Sequence, residues 1–176
     1  MPGETPSNFA IYKVPEPDLD TTRRKYQALQ KRLEKATDAT ECHVVITEWD
    51  QLLCEFKEWS ALVGIRFCQD TKSGVYKAEK DRLDEIAPKF TELETAFKTQ
   101  ILEHPLRQQL APKLPEQLFA RWECNTRSFA PVIKDEFATE AKLESDFTAL
   151  CASAEIEFRG ESFTISELHK FFEDAN

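Results

Sequence analysis

Apolar residues recur at intervals of three and four along most of the chain, the spacing of one helix face. Leu19, Tyr26, Leu29 and Leu33 mark a first helix, capped by Asp18 or Asp20 and running to about Ala36. After a turn at Thr37–Thr40, Val45, Trp49, Leu52, Phe56, Trp59 and Val63 mark a second, from about Glu41 to Phe67. Gly64 interrupts that pattern at a cost of about 1 kcal/mol relative to alanine, so a packing or backbone reason is expected. Asp70-Thr71 and Ser73-Gly74 form a turn, and a third helix spans about Val75 to Leu102. Its stripe is Leu83, Ile86, Ala87, Phe90, Leu93, Phe97 and Ile101, with Pro88 as a kink. Helices of similar length flank it, so packing within the chain is favoured over a dimeric coiled coil.

His104-Pro105 ends the third helix, and short helices follow over Leu106–Leu110 and Glu116–Thr126, the latter with Leu118, Phe119 and Trp122 apolar. Ser128 is read as a cap and Pro131 as a first-turn residue of the next helix, whose face is Val132, Ile133, Phe137, Ala141, Glu144, Phe147 and Cys151. Glu144 breaks that stripe and is placed at its edge. The period then changes to two. Ile156 and Phe158 lead to a turn at Arg159-Gly160, and Phe163 and Ile165 return the chain. These four are expected to face the core, with Glu155, Glu157 and Arg159 in water. Thr164 and Glu167 form a capping box for a last helix with Leu168, Phe171 and Phe172 apolar. Residues 1–17 hold four prolines and no periodicity, and read as an extended arm that Phe9, Ile11, Tyr12 and Val14 could dock. The expected fold is mainly α: one domain over 18–176, built of long packed helices with one small β-hairpin near the C-terminus.

Composition narrows the function classes. A net charge of −9 argues against nucleic acid and anionic membrane surfaces. The basic side of the first helix (Arg23, Arg24, Lys25, Lys31, Arg32, Lys35) is therefore read as a solvated face. No apolar run approaches the roughly 20 residues of a membrane span, and no secretory signal pattern opens the chain, so a cytoplasmic protein is expected.

Chemistry is sparse. Cys42, Cys54, Cys68, Cys124 and Cys151 show no Cys-x-x-Cys spacing and are read as buried, reduced thiols. His43, His104 and His169 are far apart in sequence, and His43 with Glu48 does not share a helix face. The 32 acidic residues suggest no acid–base pair. No Gly-rich phosphate loop, nucleophile elbow or Rossmann pattern occurs. No catalytic or metal-binding residue is nominated, and substrate-binding residues are left open.

Three segments resemble the oligoendopeptidase F-type zinc metallopeptidases of the thimet oligopeptidase clan. Ala61-Leu62-Val63-Gly64-Ile65-Arg66-Phe67-Cys68-Gln69-Asp70-Thr71, followed by Tyr76, resembles a helix end with its Ile-Arg-aromatic and Asp-Thr elements. Arg127-Ser128-Phe129-Ala130-Pro131 resembles a Lys-Ser-Phe-Ser-Pro element, and Leu150 to Thr164 resembles the Leu-Leu-Ala-Ser-Ala and Ile-x-Phe hairpin. The resemblance implies a two-lobed, mostly helical hydrolase that cleaves short peptides in a deep channel. Its zinc is held by a His-Glu-x-x-His helix plus a downstream Glu, all C-terminal to the segments matched here. The chain is thus expected to be the non-catalytic N-terminal lobe, one wall of the channel, inactive alone, with short peptides and the catalytic domain as partners. A stand-alone helical binding module is the alternative. Phe171-Phe172 is the expected exposed apolar patch of a severed lobe.

Overall fold

In the computed structural model, which describes residues 12–128 and 130–173, the chain is mainly helical with one small antiparallel hairpin. The expected arm anchors Phe9 and Ile11 lie outside the described residues, as do Phe129 and the side chain of Phe172. Tyr12 donates its hydroxyl proton to Glu58.

The first helix, α1, is Leu19–Lys35. Asp18 caps it, accepting from the Thr21 amide at 2.8 Å and so satisfying one of the first turn's free N–H groups. Thr22, Tyr26, Leu29 and Leu33 are its buried residues, while Leu19 is only half-buried. The basic side is exposed as expected. Asp38 caps α2 (Ala39–Gln69) by accepting from Thr40 and Glu41 amides at 2.7 and 2.9 Å. This cap starts α2 two residues before the periodicity does.

Asp70 and Ser73 organise the next turn. The Asp70 carboxylate accepts from the Lys72 and Ser73 amides at 3.0 and 3.2 Å. α3 follows as Gly74–Glu103 and is continuous through Pro88. α4 (Arg107–Leu110) leads to a 3-10 turn at Ala111–Lys113, and α5 is Glu116–Ser128. Ser128 therefore ends a helix instead of capping the next, and its hydroxyl donates to the Cys124 carbonyl at 2.9 Å. A 3-10 turn at Pro131–Ile133 precedes α6 (Lys134–Ser153).

The hairpin pairs β1 (Ile156–Phe158) with β2 (Glu161–Phe163), Ile156 opposite Phe163. Arg159 (φ 55°) and Gly160 (φ 82°) are both left-handed, as a two-residue hairpin turn requires. Ile165 departs from expectation by opening α7 (Ile165–Leu168) instead of extending β2. Thr164 and Glu167 form the full capping box that excludes it from the strand. α8 is Lys170–Glu173.

Two compact units arise, one from residues 1–62 and 90–129, the other from 63–89 and 130–176. The first has an aromatic centre. Trp49 stacks on Phe97 at 5.0 Å and meets Trp122 edge-on at 5.7 Å, and Tyr26 meets Phe97 edge-on at 6.2 Å. Leu33, Cys42, Ile101 and Leu110 close around this centre. Each such ring truncated to alanine would cost about 3–5 kcal/mol. α2 buries Ile46 and Leu53 besides its predicted seam, both as members of the same core cluster. The α3 stripe, through Phe97 and Ile101, is spent within the chain.

In the second unit Val63, Phe67, Leu83, Ile86 and Phe163 are buried. Arg66 and Glu79 form an ion pair at 3.6 Å that brackets the α2–α3 turn. Phe171 packs against Phe158 and Phe163, each at 5.1 Å between ring centres, so the expected Phe171 patch is half-buried under the hairpin. Arg159 is exposed as expected, with its guanidinium 5.1 Å from the centre of the Phe158 ring.

Candidate functional site

The α6 face is the largest departure from the sequence pattern. Phe147 was expected in the core and is 65% exposed, as are Leu143 (64%) and Leu150 (67%). Ser145, a polar residue, is the buried one at 6%. Glu144 is exposed beside them. The reason lies on α3. Lys80 and Asp84, one turn apart, are joined by a 2.5 Å contact between Nζ and Oδ1. Ser145 Oγ lies 2.7 Å from Asp84 Oδ2 and accepts from Lys80 Nζ at 2.7 Å. It also lies 2.9 Å from the Ala141 carbonyl, so its single proton is shared. Rotating α6 to bury Phe147 would take Ser145 from the Lys80–Asp84 pair and leave a buried carboxylate oxygen without that partner, at a cost of about 1–3 kcal/mol.

A serine beside a lysine is also the layout of a nucleophile and its base. Here the chemistry is otherwise. The Lys80 ammonium already donates to both Asp84 and Ser145, so it has no lone pair to take the hydroxyl proton. The Ser145 oxygen is buried against its own helix. The trio is a clamp between α3 and α6 that the sequence reading missed; the one sequence signal was the Lys80/Asp84 spacing of four.

In the first unit, α2, α3 and α5 enclose a cleft of about 410 Å³. Trp49, Leu53, Leu118 and Trp122 form its apolar part. Lys57, Arg121 and the Glu94–Lys98 pair, 2.5 Å apart, supply its polar part. Thr47 and Asp50 of α2 also line it, and the Thr47 hydroxyl donates to the His43 carbonyl of its own helix at 2.9 Å.

The histidines serve structure where they are engaged. His104 Nδ1 accepts from the Leu106 amide at 3.2 Å, which leaves Nε2 to donate to the Leu33 carbonyl at 3.0 Å. His104 thereby ties the end of α1 to the end of α3. The His43 carbonyl accepts from Thr47, and His169 is an exposed residue between α7 and α8. The cysteines correct the expectation of uniform burial: Cys42 is buried, Cys151 half-buried, and Cys54, Cys68 and Cys124 exposed, all five as free thiols. Burial drives the Cys42 thiol above its usual range. Among the described residues no group of three or more His, Cys, Asp or Glu is placed to hold a metal ion. No described helix is long and apolar enough to cross a membrane.

The family described as "Peptidase M3 N-terminal domain" matches residues 9–129. Comparison with curated proteins gave no match. Among solved structures, a PZ peptidase A with an inhibitor superposes with a TM-score of 0.88 and 31% identity, over 94% of this chain and 30% of that one. A protein described as an oligoendopeptidase F gives 0.87 and 30%, over 94% and 29%. A Bacillus anthracis str. Ames protein, also described as an oligoendopeptidase F, gives 0.86 and 29%, over 92% and 30%. The chain thus spans about 30% of the length of these solved proteins. The structural likeness runs beyond residue 129, where the family match stops, and into α6.

Proposed function

The chain belongs to the peptidase M3 N-terminal domain family, and from that premise we propose that it is the non-catalytic N-terminal lobe of a cytoplasmic, oligopeptide-cleaving zinc metalloendopeptidase. The helical body 18–176 forms one wall of the channel that admits short peptides. The observation that carries this reading is the paired extent of the match: nearly all of this chain, but only 30% of PZ peptidase A.

Residues 1–176 contain no His-Glu-x-x-His, the helix that sets two imidazoles one turn apart on zinc with a Glu as base. Zinc binding and peptide-bond hydrolysis are therefore assigned to sequence outside these residues. The 410 Å³ cleft and the Lys80–Asp84–Ser145 clamp are structural parts of the lobe, with no step of the chemistry given to them.

The test is a quenched fluorogenic peptide assay with added zinc. The 176-residue chain should show no turnover above buffer. The uninterrupted reading frame, carried past Asn176, should show turnover that a chelator abolishes. Chelator-sensitive cleavage by the 176-residue chain alone would overturn the division of labour.

A further inference from the structure

Leu143, Phe147 and Leu150 lie at spacings of four and three on α6, along one face of the helix and over roughly 10 Å of its length. Each is about two-thirds exposed. Scattered exposed apolar residues are ordinary, but three large ones in a row on one helix face are the mark of a surface that another body covers. Asp135, Glu136, Glu140 and Glu144, all exposed, border the stripe.

We propose that this α6 face is an interaction surface for the part of the longer M3 peptidase that lies outside the matched lobe, and that the covering segment is apolar with a basic border. This rests on the reading given under Proposed function. Three observations select that occupant. The relatives are about three times the length of this chain, so polypeptide is available to cover it. Their structural likeness runs on into α6, past the end of the N-terminal family match, so α6 belongs to a portion shared with the longer proteins. The carboxylate border selects lysine and arginine opposite it. A second copy is disfavoured by charge, since self-pairing would set acidic α6 borders of a chain at −9 against each other.

The test compares Phe147→Cys in the 176-residue chain and in the uninterrupted reading frame, with maleimide labelling at that site read by peptide mass spectrometry. The site should label freely in the short chain and at least tenfold more slowly in the long one. A second variant, Leu143→Glu/Phe147→Glu, should leave the Tm of the short chain unchanged and lower that of the long one by several degrees. Equal labelling in both chains, with the long one an active peptidase, overturns the surface assignment while leaving the proposed function standing. Slow labelling in the short chain also overturns it, because the face is then covered by the chain itself or by a second copy. A reading frame that stops at Asn176 removes the occupant and overturns both.

Discussion

Ser145 Oγ sits 2.7 Å from Asp84 Oδ2, joining residues 61 apart in sequence at a buried point between α6 and α3. With Lys80 Nζ 2.5 Å from the other carboxylate oxygen, Asp84 has charge-assisted contacts on both sides. Such a network is costly when one member is removed and cheap when all are satisfied.

Ser145→Ala should therefore destabilise the second unit by about 1–3 kcal/mol, the penalty for leaving buried partners unsatisfied. Asp84→Ala should cost more, about 2–4 kcal/mol, somewhat below the ~3–5 of a fully buried pair because the Lys80 side chain is 19% exposed. Hydrogen exchange of the α6 amides is the direct readout, and Ser145→Ala should speed it. Unchanged α6 exchange in both variants would show that the clamp does not hold the helix.

The clamp also explains what sequence could and could not reveal. α1, α2 and α3 were legible because their caps and stripes agree: Asp18 before Tyr26 and Leu29, Asp70 and Ser73 before Leu83. The Arg159-Gly160 turn and the Thr164/Glu167 box were legible because both are local devices of two to four residues. α6 was read a rotation away from its true orientation, because periodicity assumes that apolar residues choose the buried side. Here a serine chose it, through partners on another helix that no local pattern displays. The exposed stripe of Phe147 is the counterpart of that same choice.

Gly64 stands mid-helix, and a Cβ added there would meet nothing within 4 Å. The packing reason expected for it does not exist within this chain's described residues. Gly64→Ala should then stabilise by about 0.5–1 kcal/mol through helix propensity alone. Gly160→Ala should do the opposite, since φ of 82° is strained for any residue with a Cβ. Thermal denaturation of the two variants checks the pair. A lower Tm for Gly64→Ala would show that the position contacts something not seen in these helices.

The five thiols should separate by reactivity. Cys54, Cys68 and Cys124 are exposed and should react with a thiol reagent promptly in the native chain. Cys42 is buried, with its thiol held above the usual range first by burial and then by Asp38, so its reaction should wait on local opening. Peptide-resolved labelling should find Cys42 more than about tenfold slower than the exposed three, with denaturant erasing the difference. Labelling of Cys42 at the rate of Cys54 would contradict its burial.

Acid should weaken the fold through its helix caps. Hydrogen bonds from Thr21 hold Asp18 below the usual carboxylate range, and the Glu41 and Thr40 amides do the same for Asp38. Thr164 lowers Glu167, and Arg32 lowers Glu48. A group whose folded pKa is depressed contributes stability that is fully present above its unfolded value. That stability is lost as pH falls through the folded value. The ordinary values are 3.8 for Asp and 4.5 for Glu, so the loss should begin below about pH 5 and continue below pH 4. Below about pH 5, the isoelectric point of the sequence, the chain turns net positive, and repulsion among its 23 Lys and Arg adds to the loss in the same window. The two effects are separated by Asp18→Asn/Asp38→Asn, because asparagine caps a helix about as well as aspartate and does not titrate. Between pH 5 and 3 the Tm of this variant should fall less steeply than that of the native chain, with the two similar near neutrality. Parallel curves would mean that the caps contribute nothing to acid sensitivity and that net charge alone sets it.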